Sequence, residues 1–156
     1  DPVYQATVAA TRELCEHCRR IGQSLHLETG QEPAETLLRF IADVGVGNLY
    51  INFDPANMIL YGSGEPIEAL EQVGQYVRSV HCKDAKWAQH PGQEWGVEVP
   101  LGDGDVNMER YLRTLDKLGY AGPLTIEREI PQEPERQKAE IGRAVKLLSA
   151  LKASIG

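Results

Sequence analysis

No stretch of the 156 residues approaches the roughly 20 consecutive apolar side chains that a bilayer span requires, and no basic then apolar leader precedes a small-residue cleavage site. Both absences argue against a membrane or freshly secreted protein. Basic excess is missing too: 16 Lys+Arg stand against 23 Asp+Glu, a formal charge of −7. An acidic surface repels phosphate backbones and no local basic groove offsets it, so nucleic acid is not an expected partner. Cysteine is sparse and odd in number. Cys15, Cys18 and Cys82 build no disulfide framework in a chain long enough to form a core without staples, so a cytoplasmic, reducing environment is expected.

Three short patterns lack the residues that would give them chemistry. Cys15 and Cys18 have CxxC spacing but no second pair, and they sit inside a helical pattern. Gly62-Ser63-Gly64 is too short for a dinucleotide fingerprint and does not directly follow a strand, so no nicotinamide or flavin is implied. Asp103, Asp105 and Asn107 imitate the opening of a calcium loop, but Met108 replaces its glycine and Thr114 its closing glutamate. That segment reads as a turn into a helix, with Asn107 near the cap.

What is present is an ordinary globular balance, 42% apolar and 25% charged, with one pattern repeated. Residues 3–22 carry apolar or small positions at helical spacing (Val8, Ala9, Leu14, Cys15, Cys18, Ile21), and the chain starts at Asp1-Pro2 as if inside a longer protein. A strand is expected at 24–28, with Leu25 and Leu27 opposing His26 and Glu28. A helix striped by Leu37, Leu38, Ile41 and Val44 follows. Strand and helix then recur. The strand 49–54 precedes a glycine-bearing loop and a helix from Pro66. The strand 78–83 precedes a long connection, 84–106, and a helix striped by Met108, Tyr111, Leu112, Leu115 and Leu118. The strand 124–129 precedes a helix from Pro134 whose expected face is Ile141, Val145, Leu148 and Leu151.

The order α(βα)4 implies parallel strands joined by right-handed crossovers. Parallel strands are usually apolar on both faces, yet all four here are polar on one. An open flavodoxin-type sheet does not accommodate that, whereas a (β/α)8 barrel holds a polar site at the upper end of its interior. Such a barrel takes about 250 residues, so residues 1–156 are expected to form a single domain that is half of one. Its two open sheet edges predict self-association or pairing with a missing half-barrel.

In a barrel the C-terminal strand ends build the active site. The last inward position of each strand is Glu28, Asp54, His81 and Glu127. Each alone has a plainer reading: a solvated strand end, a turn residue, a core histidine, a surface charge. Four independent choices of face agree by chance about one time in sixteen. Three clustered carboxylates repel unless a cation neutralises them, and oxygen-rich ligands with one nitrogen suit Mn²⁺, Mg²⁺, Co²⁺ or Zn²⁺. Glu129 shares the face of Glu127 and would replace it if the strand ran one pair longer.

The stretches Leu27-Glu28-Thr29, Ile51-Asn52-Phe53-Asp54-Pro55-Ala56-Asn57, Val80-His81-Cys82-Lys83-Asp84, Pro100-Leu101-Gly102-Asp103-Gly104 and Leu124-Thr125-Ile126-Glu127-Arg128-Glu129 resemble the sugar phosphate isomerase/epimerase family, the xylose-isomerase-like TIM barrels, in its C-terminal half. The resemblance implies that Glu28, Asp54, His81 and Glu127 bind a divalent metal. It also implies that Glu28 and Glu127 exchange protons with a small sugar through an enediolate. A dehydratase of the inosose type on the same scaffold and a catalytically idle structural half-barrel are the alternatives. Asn57 stands where several family members carry histidine. It can hydrogen-bond a substrate hydroxyl but cannot shuttle a proton. The related apurinic-site endonucleases need that histidine and a further Asp-x-His pair; the loop here offers His90, Glu94 and Glu98 without one. Lys83, two residues beyond His81 on the same face, is the second expected substrate contact, whereas Lys86 reads as a solvated loop lysine. Trp87 and Trp95 flank the long loop as an aromatic wall or as loop packing.

Overall fold

The computed structural model describes residues 1–155. Helix α1 (Pro2–Arg20) opens where the Asp1 carboxylate accepts the Val3 N–H at 2.8 Å, with proline at the first helical position where no N–H is needed. Its buried stripe is Val8, Thr11 and Cys15, while Leu14 and Ile21 are 56% and 58% exposed. Strand β1 (Leu25–Glu28) leads to α2 (Ala34–Val44), which ends at Gly45 in the left-handed conformation that only glycine adopts cheaply. Strand β2 (Leu49–Phe53) follows.

The segment after β2 is not the loop expected from the sequence. Asp54 caps a short helix, α3 (Pro55–Tyr61), by accepting the Asn57 N–H at 3.0 Å. Two helical turns are too few to display a stripe, so periodicity alone missed it. Helix α4 (Pro66–Val73) starts on Glu65, whose carboxylate accepts the N–H groups of Ile67 and Glu68, each at 2.9 Å. A single 3-10 turn, Gly74–Tyr76, precedes β3 (Val77–Cys82). The long connection holds a second departure, an antiparallel ribbon of β4 (Asp84–Lys86) and β5 (Val97–Val99). Helix α5 (Met108–Lys117) is capped by Asn107, as its position suggested. Strand β6 (Leu124–Ile126) is half the expected length, and α6 (Pro134–Ile155) closes the order.

The main sheet runs β1-β2-β3-β6 with every pair parallel. One face is apolar and covered: Leu49, Ile51, Phe53, Val80 and Cys82 lie under Leu37, Ile41 and Val44 of α2, Ile67, Leu70 and Val73 of α4, and Leu112 and Leu115 of α5, all buried. Each such aliphatic or aromatic side chain contributes about 1.5–3 kcal/mol on burial. The other face carries His26, Tyr50, Asn52, Ser79, His81 and Thr125, none fully buried. This is the one-sided polarity of a barrel wall, and β1 and β6 are its open edges. Helix α6 corrects the expected stripe. Ala144 and Leu148 are buried, whereas Ile141 and Val145 are 42% and 50% exposed because the helix overhangs edge strand β6.

Candidate active site

The inward positions of parallel strands must converge at their C-terminal ends, and here they do. His81, on the inner face of β3, turns Nδ1 toward three carboxylates: Glu28 Oε1 at 2.9 Å, Asp54 Oδ2 at 3.2 Å and Glu127 Oε2 at 3.3 Å. Glu28 ends β1, Asp54 follows β2 and Glu127 follows β6. Although β6 stops at Ile126, the Glu127 N–H still reaches the Cys82 carbonyl at 3.3 Å, which keeps its side chain on the inner wall.

Each group is held from behind. Asp54 is fully buried; its backbone N–H donates to the Thr29 hydroxyl at 2.7 Å, and that hydroxyl donates to the Asp54 carbonyl at 2.8 Å. Asn57 donates to Glu28 Oε1 at 3.4 Å and to the Thr29 carbonyl at 3.2 Å. The fully buried Tyr111 of α5 donates its hydroxyl toward the carbonyls of Phe53, 3.3 Å, and His81, 3.2 Å. On the other side of the His81 ring, Nε2 lies 3.2 Å from the side-chain amide of Asn52.

Lys83 is only 1% exposed, which is rare for lysine without partners. Its ammonium donates to Glu129 Oε2 at 2.5 Å, Glu127 Oε2 at 2.9 Å and Asn57 Oδ1 at 3.4 Å. Burial works against its charge, but the hydrogen bonds to Glu129 and Glu127 outweigh that and raise its pKa. The hydrogen bond to Asp54 raises the His81 pKa, burial opposes it, and the charges of Glu127, Asp54 and Glu28 leave it above the usual histidine value. Burial raises the Glu28 carboxyl; His81 pulls it back without cancelling the shift. The pocket thus gathers excess negative charge around one ring nitrogen.

The four expected ligands offer one donor atom each, and these atoms all lie within 4.8 Å of one another. Three carboxylates and an imidazole so placed fit a hard or borderline divalent cation better than a soft one. Glu129, the alternative to Glu127, is 70% exposed on its side chain and serves Lys83 instead. His90 and Glu94 are exposed and lie outside this cluster, and Glu98 pairs with Arg128 at 2.7 Å. Trp95 is 74% exposed and meets Tyr61 edge-on at 5.4 Å, whereas Trp87 packs on the core. Lys86 is exposed and lies 3.6 Å from Asp105.

Sequence reasoning missed Asp84. This carboxylate is 2% exposed and accepts four backbone N–H groups, from Ala85 at 3.0 Å, Gly102 at 2.9 Å, Gly104 at 3.1 Å and Val106 at 3.2 Å. It ties both ends of the long connection together beside the site. A side chain at Gly104 would collide with that carboxylate. Asp84 and the glycine pair at 102 and 104 each stood in a stretch that resembles the family, but nothing in their local spacing joined them.

A family model for the xylose isomerase-like TIM barrel matches residues 2–151. The chain belongs to that family. It is similar to a crystallised xylose isomerase domain protein from Planctomyces limnophilus, with 57% identity and a TM-score of 0.97 over 99% of this chain and 56% of that one. Among curated relatives, an inosose dehydratase of Clostridium botulinum (strain Eklund 17B / Type B) is 27% identical over 138 residues, 81% of this chain and 44% of the relative. The L-ribulose-5-phosphate 3-epimerase UlaE of Salmonella typhimurium is 34% identical over 103 residues, 66% of this chain and 34% of that protein. The chain therefore spans about half the length of its family relatives or less, in keeping with the half-barrel sheet.

Proposed function

We propose that this chain is the C-terminal, cation-binding and proton-transferring half of an isomerase or epimerase for a small sugar or polyol-derived carbonyl compound. The observation that carries the reading is the convergence of Glu28 and Glu127 with Asp54 and His81 at one mouth. A divalent cation of the Mn²⁺, Mg²⁺, Co²⁺ or Zn²⁺ class, held by these four residues, would supply Lewis acidity toward the carbonyl of a substrate.

The two glutamates divide the proton work. One carboxylate removes the proton on the carbon beside the carbonyl, and the C–H electron pair moves into a C–C double bond as the carbonyl becomes the oxyanion of an enediolate. The other, as a carboxylic acid, returns a proton, to the opposite face in an epimerisation or to the neighbouring carbon in an isomerisation. Burial raises the Glu28 carboxyl, and the Lys83 ammonium lies 2.9 Å from Glu127 Oε2, so the two glutamates sit in different surroundings. Which of the two acts as base and which as acid follows the configuration of the substrate carbon. The carboxamide of Asn57 is the proposed contact to a substrate hydroxyl. Lys83 supports it from behind, since its ammonium is already taken up by carboxylates.

The test is hydrogen exchange into ketoses and inososes in D₂O with the Mn²⁺-loaded protein, followed by NMR. Glu28→Gln and Glu127→Gln are each expected to slow exchange by about 10²–10⁴-fold; exchange at the parent rate in either variant refutes the assigned role. The likeness to an inosose dehydratase favours a second reading, in which the same enediolate expels a β-hydroxyl. That reading predicts a product lighter by one water.

A further inference from the structure

The geometry points to Asn52 as the positioning residue that holds the His81 ring by its far nitrogen, so that Nδ1 is the one offered to a cation. The inference rests on the cation reading above and adds a residue to it. A ring nitrogen can bind a cation only through its lone pair, so its proton must sit on the other nitrogen. Here Nδ1 faces Glu28, Asp54 and Glu127, which leaves Nε2 to carry the proton. An N–H in this half-buried place needs an acceptor, and the hydrogen-bond partner of Nε2 among the described residues is the Asn52 side-chain amide at 3.2 Å.

In the structure the Asn52 NH₂ group faces Nε2, which suits a ring whose proton is on Nδ1 and directed at Asp54. With Nδ1 given over to a cation, the ring proton would sit on Nε2, and a half-turn of the amide would present Oδ1 to it. No second hydrogen bond opposes this turn, because among the described residues the Asn52 side chain makes no other. A carboxamide can serve both tautomers, donating to one and accepting from the other. An aspartate would serve only the cation-bound tautomer and would add a fourth negative charge. The backbone makes the pairing dependable: β2 and β3 are hydrogen-bonded neighbours, with Asn52 opposite Ser79, so Asn52 and His81 share the inner face one residue pair apart.

Mn²⁺ titration by calorimetry of the 156-residue chain and its variants tests this without turnover. Asn52→Leu is expected to weaken Mn²⁺ binding by about 10–100-fold, and Asn52→Asp, which keeps an acceptor, to bind at least as tightly as the parent. An Asn52→Leu affinity within about twofold of the parent, or an Asp variant as weak as the Leu variant, overturns the inference and leaves the cation reading intact. Absence of Mn²⁺ binding by the parent overturns both. A measurement that needs no variant is ¹⁵N NMR of His81 in the Mg²⁺-saturated parent. A proton on Nε2 is expected, and a proton on Nδ1 overturns the cation reading of His81 and the inference with it.

Discussion

Replacing Asp84 by asparagine should damage the long connection asymmetrically, and the structure says where. Oδ1 accepts from the Ala85 and Val106 N–H groups, both buried, while Oδ2 accepts from Gly102 and Gly104, both partly accessible to water. Leaving a buried donor without a partner costs about 1–3 kcal/mol. Asp84→Ala strands both buried donors and should cost about 2–6 kcal/mol, a fall of about 1–3 M in the urea midpoint at a slope near 2 kcal/mol per M. Asp84→Asn keeps one oxygen, which is best used on the two buried donors, and turns its NH₂ toward the N–H groups of Gly102 and Gly104. Its cost should be about half as large, with faster amide exchange confined to Gly102 and Gly104 while Ala85 and Val106 stay protected. Hydrogen-exchange NMR reads this pattern. An alanine variant within about 0.5 kcal/mol of the parent, or an asparagine variant that frees Val106 first, would refute the reasoning.

Two further outcomes follow from the titrating groups. The His81 pKa is raised in the folded chain, so the stability its charge contributes to metal-free protein is fully present below about pH 6.5 and is lost as pH rises through the folded value. The difference in urea midpoint between the parent and His81→Gln should therefore shrink from about pH 5 to pH 9, and a difference that grows with pH would be incompatible with the shift. Among the thiols, burial raises Cys15 and pushes Cys82 up to about 12, whereas Cys18 is partly accessible. Iodoacetamide near pH 8 should label Cys18 first, as peptide mass mapping would show; early labelling of Cys82 would mean that the sheet opens.

The parts legible in the sequence were those written in short-range alternation. Four segments each set an apolar side against a polar one, and that polarity sufficed for the half-barrel and for bringing Glu28, Asp54, His81 and Glu127 to one mouth. Part of what escaped was settled by contacts distant along the chain, and part by elements too short to show a period. The β4–β5 ribbon exists because Asp84 gathers backbone groups from residues 102–106, and no local period encodes that. Helix α3 owes its start to Asp54, which also faces His81, so one side chain caps a helix and joins the cluster. The face of α6 was misjudged because periodicity reveals that a stripe exists but not how much sheet lies beneath it, and β6 is an edge.

The phenol of Tyr111 carries a consequence for how such a protein tolerates change. It is contributed by an outer helix, never meets solvent, and grips the carbonyl just before Asp54 together with that of His81. The gap between two ligand-bearing strands is thus gauged from outside the wall. Surveys of substitutions that sample only the cavity lining would overlook this brace, and repacking α5 for robustness could detune the mouth without altering any residue that lines it.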